Sequence, residues 1–239
     1  MDFFSLETIL IMVPILLIAL PFHELAHAWV AYKLGDNTAK ERGRLTLNPF
    51  KHLDLIGTIM MFVVGFGWAK PVPVNSNNFK QPRKGMVLVS VAGPLSNLIL
   101  AFISTFISGI VAKLLVTGII PLTTRFSVQL TSFVSLFFYI LVIVNLNLAF
   151  FNLIPVPPLD GSRLLTSFIP EKSYESFTRI EPFIGLAFLA LVVLFPDNIL
   201  GDILKAVTEP LRRSMAFVTQ AILGINSNNP FWLIMQGQV

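Results

Sequence analysis

Leu16-Leu17-Ile18-Ala19-Leu20-Pro21-Phe22-His23-Glu24-Leu25-Ala26-His27-Ala28-Trp29-Val30 decides how the chain is read. The run is apolar except for His23, Glu24 and His27, and it sits in a longer apolar stretch from Leu6 to Leu34. A helix crosses the hydrocarbon core of a bilayer with roughly 20 apolar residues, so this stretch is long enough to span. Lipid penalises an ionisable group by about 3 kcal/mol or more unless a partner or an ion compensates it. Residues four apart share a helix face, which turns both imidazoles toward one point and leaves Glu24 beside them. Two imidazoles so placed, with a neighbouring carboxylate, fit a zinc ion and a carrier for the proton of its water.

Working outward, the composition carries the same message. The chain is 54% hydrophobic and 13% charged, against about 25% charged residues in soluble domains. Its mean hydropathy is +0.76. Most of the 239 residues are used in apolar runs, so one integral membrane domain over residues 1–225 is expected, with 226–239 as a tail of no readable function. The net charge of +4 comes from basic residues between apolar runs, where cytoplasmic loops carry them, and no basic-aromatic module for nucleic acid is visible. Cysteine is absent, which excludes disulfides and thiolate ligands. The N-terminal residues lack the basic start of a secretory signal, and cleavage would discard the His-Glu motif, so the first span is expected to be retained.

The pattern predicts an all-α polytopic membrane protein with about four to six membrane segments. The first span stops at Gly35-Asp36-Asn37. Leu55 to Gly67 is too short for an ordinary crossing and reads as a segment that dips in and returns. Trp68-Ala69-Lys70-Pro71-Val72-Pro73-Val74 must be extended, because each proline biases its predecessor away from helix; a short extended or β-hairpin element dipping into the membrane is expected here. Met86–Val116 and Val128–Leu153 are further spans, and Pro182–Pro196 is a short one. Ile199–Gly224 repeats Asp202, Lys205, Glu209 and Arg212 at helical spacing, as an interfacial helix or a polar-faced last span. The loops on either side of the dipping segment carry five and four Lys/Arg residues, so both are placed in the cytoplasm. That orientation brings His23, His27 and Asp160 to the same membrane depth.

A catalytic zinc takes three protein ligands and keeps one position open. Asp160 is the preferred third, since it closes a helix end broken by Pro155, Pro157 and Pro158, whose freed backbone groups need a protein-lined or wet cavity. Asp-Gly is also a plain turn signal, and His52 with Asp54 is a rival source of the ligand. Glu24 would move the proton of the attacking water to the leaving amine. Asn97 is a neutral donor for the developing oxyanion, or else a helix-packing amide. Ser90, Gly93 and Asn97 share a face whose small residues allow a neighbouring helix close.

The set His23-Glu24-x-x-His27, Gly93-Pro94-x-x-Asn97 and Asn152-x-x-Pro155-x-Pro157-x-Leu159-Asp160-Gly161 resembles the site-2 proteases, zinc metalloproteases that cut within membranes. Gly43-Arg44-Leu45-Thr46-Leu47-Asn48-Pro49 and Gly67-Trp68-Ala69-Lys70-Pro71-Val72-Pro73-Val74 look like their small prokaryotic branch, without a PDZ or CBS domain. The resemblance implies His23, His27 and Asp160 as zinc ligands, Glu24 as catalytic acid and base, and Asn97 in the active site.

The function expected is an intramembrane zinc endopeptidase that hydrolyses single-span membrane proteins or signal-peptide remnants near the cytoplasmic face of a prokaryotic plasma membrane. Its partners would be substrate transmembrane segments and the lipid bilayer. A divalent-metal transporter is the alternative, although it should show more ligands at the midplane and an internal repeat. A non-catalytic scaffold that binds membrane segments is the third reading, and an intact Glu24 argues against it.

Overall fold

The computed structural model describes residues 6–64, 67–194 and 199–225. Helices α1 (Leu6–Lys33), α2 (Thr38–Glu41), α3 (Pro49–His52), α4 (Leu55–Val64), α5 (Pro82–Val116), α6 (Arg125–Asn152), α7 (Gly161–Phe168), α8 (Glu171–Leu194) and α9 (Ile199–Leu223) follow in order, with a 3-10 turn at Ser76–Asn78. The chain is an all-α membrane protein. Among the described residues, three helices are long and apolar enough to cross a membrane: Thr8–Lys33 of α1, α5 and α6. α8 and α9 have 24 and 25 residues, enough length to cross but with more polar sequences. The tail from Asn226 lies outside the described residues.

Small side chains decide which helix is central. Ala92, Gly93, Ala101, Ser104, Thr105, Ser108 and Ala112 all lie on the buried side of α5, and their lack of bulk lets other backbones come near. α1, α6, α7 and α9 all pack against it. Ala101 meets Val142 and Leu146 of α6 in one apolar cluster, while Ile11 and Ile15 of α1 meet Leu141 in another. The polar stripe of α9 faces inward at Arg212, which is buried, forks onto Glu209 at 2.7 and 2.9 Å, and lies over the Tyr139 ring.

α4 has 10 residues and is therefore about 15 Å long, half of what a crossing needs. Asp54 starts it, accepting the Gly57 N–H at 2.8 Å. From 67 to 75 the chain is non-helical, makes a single antiparallel bridge, Leu53 to Ala69, is kept extended ahead of Pro71 and Pro73, and is extended at Asn75. The extended form of the expected element is present without a hairpin ladder, because Pro71 and Pro73 have no N–H to continue one. Its far end is held by Asp36, which accepts from the Asn75 N–H and the Asn78 amide, both at 2.7 Å, and from Thr38. Burial acts to raise the Asp36 pKa, but the bonds from Thr38, Asn75 and Asn78 outweigh it and hold the carboxyl below the usual range.

Candidate active site

His23 and His27 lie one turn apart on the side of α1 that faces α5. Their rings meet edge to face with centroids 4.6 Å apart. They fit there because residue 93 is glycine: a Cβ on Gly93 would collide with His27 Nε2 and come within 2.6 Å of His23 Cε1. The small face read from Ser90, Gly93 and Asn97 is thus the face that admits the histidines.

The outer nitrogen of each ring is taken by an acceptor. His23 Nδ1 donates to Asn97 Oδ1 at 2.5 Å, and His27 Nδ1 donates to the Val89 carbonyl at 2.7 Å. With the protons on Nδ1, both Nε2 atoms present lone pairs, and they stand 3.0 Å apart. Asp160 Oδ2 joins them at 3.1 Å from His23 Nε2 and 3.2 Å from His27 Nε2. Asp160 occupies the capping position of α7, yet its side chain makes no capping bond. The chain after it turns so tightly against the end of α6 that a Cβ on Gly161 would run into the Leu153 and Ile154 carbonyl oxygens. That close approach fixes the aspartate toward the histidines.

Three lone-pair-bearing atoms at these separations repel one another unless a cation lies among them. The buried Asp160 Oδ2 has no hydrogen-bond partner. Edges of 3.0–3.2 Å match one face of a tetrahedron of zinc ligands, whose edge is about 3.3 Å. The residues therefore fit zinc, and among the described residues His23, His27 and Asp160 form the group able to hold a metal. The rival pair is engaged elsewhere: His52 donates from Nε2 to the Thr46 carbonyl at 2.7 Å, and Asp54 caps α4.

Glu24 stands outside the triangle. Its Oε2 accepts the N–H of Val72 at 2.9 Å, so the base candidate is tied to the extended segment. His23, Glu24 and Asp160 open into a cavity of about 360 Å3 whose other walls are the segment around Trp68, the α6 end at Phe151 and Asn152, and Phe188 of α8. Asn97 is fully buried, and its amide donates to Asn145 Oδ1 at 2.7 Å. Asn145 in turn donates to the Leu141 carbonyl at 2.8 Å. The polar contacts of His23 thus run through two helices. From the sequence alone Asn145 reads as a helix-packing amide, and the Val89 carbonyl is a backbone group that leaves no mark there.

Residues 11–192 match the model for peptidase family M50. YwhC of Bacillus subtilis (strain 168) is 44% identical over 209 residues, which cover 87% of this chain and 92% of YwhC. Rip2 of Mycobacterium tuberculosis (strain ATCC 25618 / H37Rv) is 29% identical over 75% of this chain and 65% of its own length. MJ0392 of Methanocaldococcus jannaschii is 29% identical over 76% of this chain and 41% of its own length. The names of all three contain the words zinc metalloprotease. No solved structure matches the chain. A zinc-fitting triad whose histidines lie on an apolar helix and a family match over most of the length agree, and the chain belongs to peptidase family M50, the site-2 proteases.

Proposed function

We propose that the protein is an endopeptidase of the membrane interior, cutting single-span membrane proteins or signal-peptide remnants near the cytoplasmic face of a prokaryotic plasma membrane. The observation that carries this is the convergence of His23 Nε2, His27 Nε2 and Asp160 Oδ2 beside an apolar-walled cavity on helices fit to span a bilayer. Lys40, Arg42, Lys51, Lys80, Arg83 and Lys84 lie in or beside the loops on either side of α4 and the segment after it, and part of that segment lines the cavity, which favours a cytoplasmic location for it.

In this reading His23, His27 and Asp160 hold zinc, which when bound supplies a Lewis acid that brings the pKa of water to about 7 and polarises a peptide carbonyl. Glu24 takes the proton of the attacking water and delivers it to the leaving amine. Val72 keeps one Glu24 oxygen hydrogen-bonded and leaves the other for that transfer. Asn97, expected from sequence to face the oxyanion, we assign instead to orienting His23, since its amide is turned to Asn145. Asn152 is the amide in the cavity wall, with one N–H used by the Leu148 carbonyl at 2.9 Å. Its second N–H serves as the oxyanion donor. The walls around Phe151, Trp68 and Phe188 exclude bulk water, which strengthens each of these interactions.

The test compares membrane proteomes of cells expressing wild-type protein or Glu24→Gln at equal levels. A single-span protein that stays intact only with Glu24→Gln establishes proteolysis and identifies a substrate. Identical proteomes under several stresses would overturn the reading in favour of transport or scaffolding.

A further inference from the structure

Arg44 is a buried charge that the chemistry above leaves unused. It is 6% exposed, and its Nη2 donates to the Lys70 carbonyl at 2.6 Å and lies 3.5 Å from His52 Nδ1. Its buried Nε meets no acceptor. A guanidinium buried with one donor unused is a poor way to stabilise a loop, because an apolar side chain of similar volume would avoid the desolvation cost. The histidine beside it is fully buried, and its Nε2 proton, given to Thr46, leaves Nδ1 as the acceptor that faces Arg44. His52 thus orients the guanidinium toward Lys70.

Lys70 is held on both backbone groups from one side: its N–H reaches the His52 carbonyl at 2.8 Å and its C=O takes Arg44. Extended backbone alternates every residue, so the N–H of Val72 faces that same side, where it meets Glu24 Oε2. Ala69 and Pro71, on either side of Lys70, line the cavity together with Gly67 and Trp68. Beyond them the Asn75 N–H is pinned to Asp36. The segment therefore hangs from residues 70, 72 and 75, and the clasp at 70 sets which N–H arrives at Glu24.

We propose that Arg44 is a positioning residue for the hydrolysis: by gripping the Lys70 carbonyl it fixes the extended segment so that Val72 holds Glu24 in place at the cavity. This rests on the proteolytic reading given above. Arg44 touches neither the metal ligands nor the cavity, so its loss leaves zinc binding intact and acts on turnover.

The experiment uses full-length protein reconstituted in phosphatidylethanolamine–phosphatidylglycerol vesicles with a single-span fusion carrying a fluorescent protein on its cytoplasmic side. Arg44→Ala is expected to keep full zinc content and lower kcat about 10- to 100-fold, with KM changed by less than about threefold. Arg44→Lys, which still offers a donor to Lys70, recovers part of that kcat. In a Trp29→Phe, Trp232→Phe background, which leaves Trp68 as the remaining tryptophan, its emission shifts with Arg44→Ala and returns toward wild type with Arg44→Lys. Unchanged kcat in Arg44→Ala, a rise in KM alone, or zinc lost together with activity in both variants would each overturn the proposal. If the wild type cuts no fusion, the proteolytic reading fails, and the Trp68 emission still decides whether Arg44 seats the segment.

Discussion

At residue 93 the enzyme needs the absence of a side chain. Alanine there would push both imidazoles off their positions, so Gly93→Ala is expected to weaken zinc binding about 10- to 100-fold in a protein that still folds; competition against a chromogenic chelator measures it. Glu24→Gln is expected to bind zinc as the wild type does and lose hydrolysis, whereas Asp160→Ala loses the metal, read by elemental analysis of purified protein. Asn145→Leu strands the Asn97 amide in the bundle, and its expected effect is a weaker zinc site of about tenfold. These sites differ in how plainly the sequence announced them. The closeness of His23, Glu24 and His27 was legible because spacing on a helix is a local property. Asp160 was chosen for closing a proline-broken helix end at a matching depth and for the family resemblance, since the fold that brings residue 160 to residue 23 is tertiary. Asn97 was placed in the site from sequence, but which way its amide turns depends on Asn145, a partner 48 positions away.

Among the elements, the extended segment shows most clearly what proline patterning can and cannot say. Pro71 and Pro73 correctly forbade helix from residue 68 onward. They did not say that the segment would be fastened by side chains from the first third of the chain, Glu24, Asp36 and Arg44. α9 was legible as polar-striped, but the stripe's direction was not, because a buried Arg212 becomes tolerable only once Glu209 and Tyr139 are beside it. Asp36 gives the segment a pH dependence. Its folded pKa lies below the ordinary aspartate value of 3.8, so its stabilisation is complete above that value and is lost as pH falls through the lowered one. Cleavage by pepsin within 67–78 is therefore expected to accelerate, relative to cleavage elsewhere, only at a pH below the ordinary aspartate value of 3.8. Asp36→Asn should show fast cleavage already at about pH 4, with no such break.

For the molecule as a whole, zinc is a structural tie as well as a reagent. α7 packs on α5, and Asp160 is the residue that joins it to the histidines of α1. Chelation should release that tie and leave three lone pairs facing one another. Hydrogen exchange over 153–168 is expected to rise on chelation while the α5–α6 core stays protected. The melting temperature should fall equally in wild type and Glu24→Gln, and not at all in Asp160→Ala. A metal bound at about 1,000 times its Kd stabilises by about 4 kcal/mol, large enough to read in a thermal scan.

The apolar walls of the cavity beside His23 and Asp160 set a further rule if, as proposed, the substrate arrives as a membrane helix. Every carbonyl inside an α-helix already accepts the N–H four residues on, so a bond in that state offers no free carbonyl to the ligand triangle. Only melted chain presents one. Cleavage then follows the local frailty of the substrate helix more than the identity of any one side chain. Replacing alanine by glycine weakens a helix by about 1 kcal/mol and by proline about 3, or roughly 5-fold and 150-fold in the melted population. For the substrate class proposed above, such a residue near the cytoplasmic end of a span marks the bond to watch.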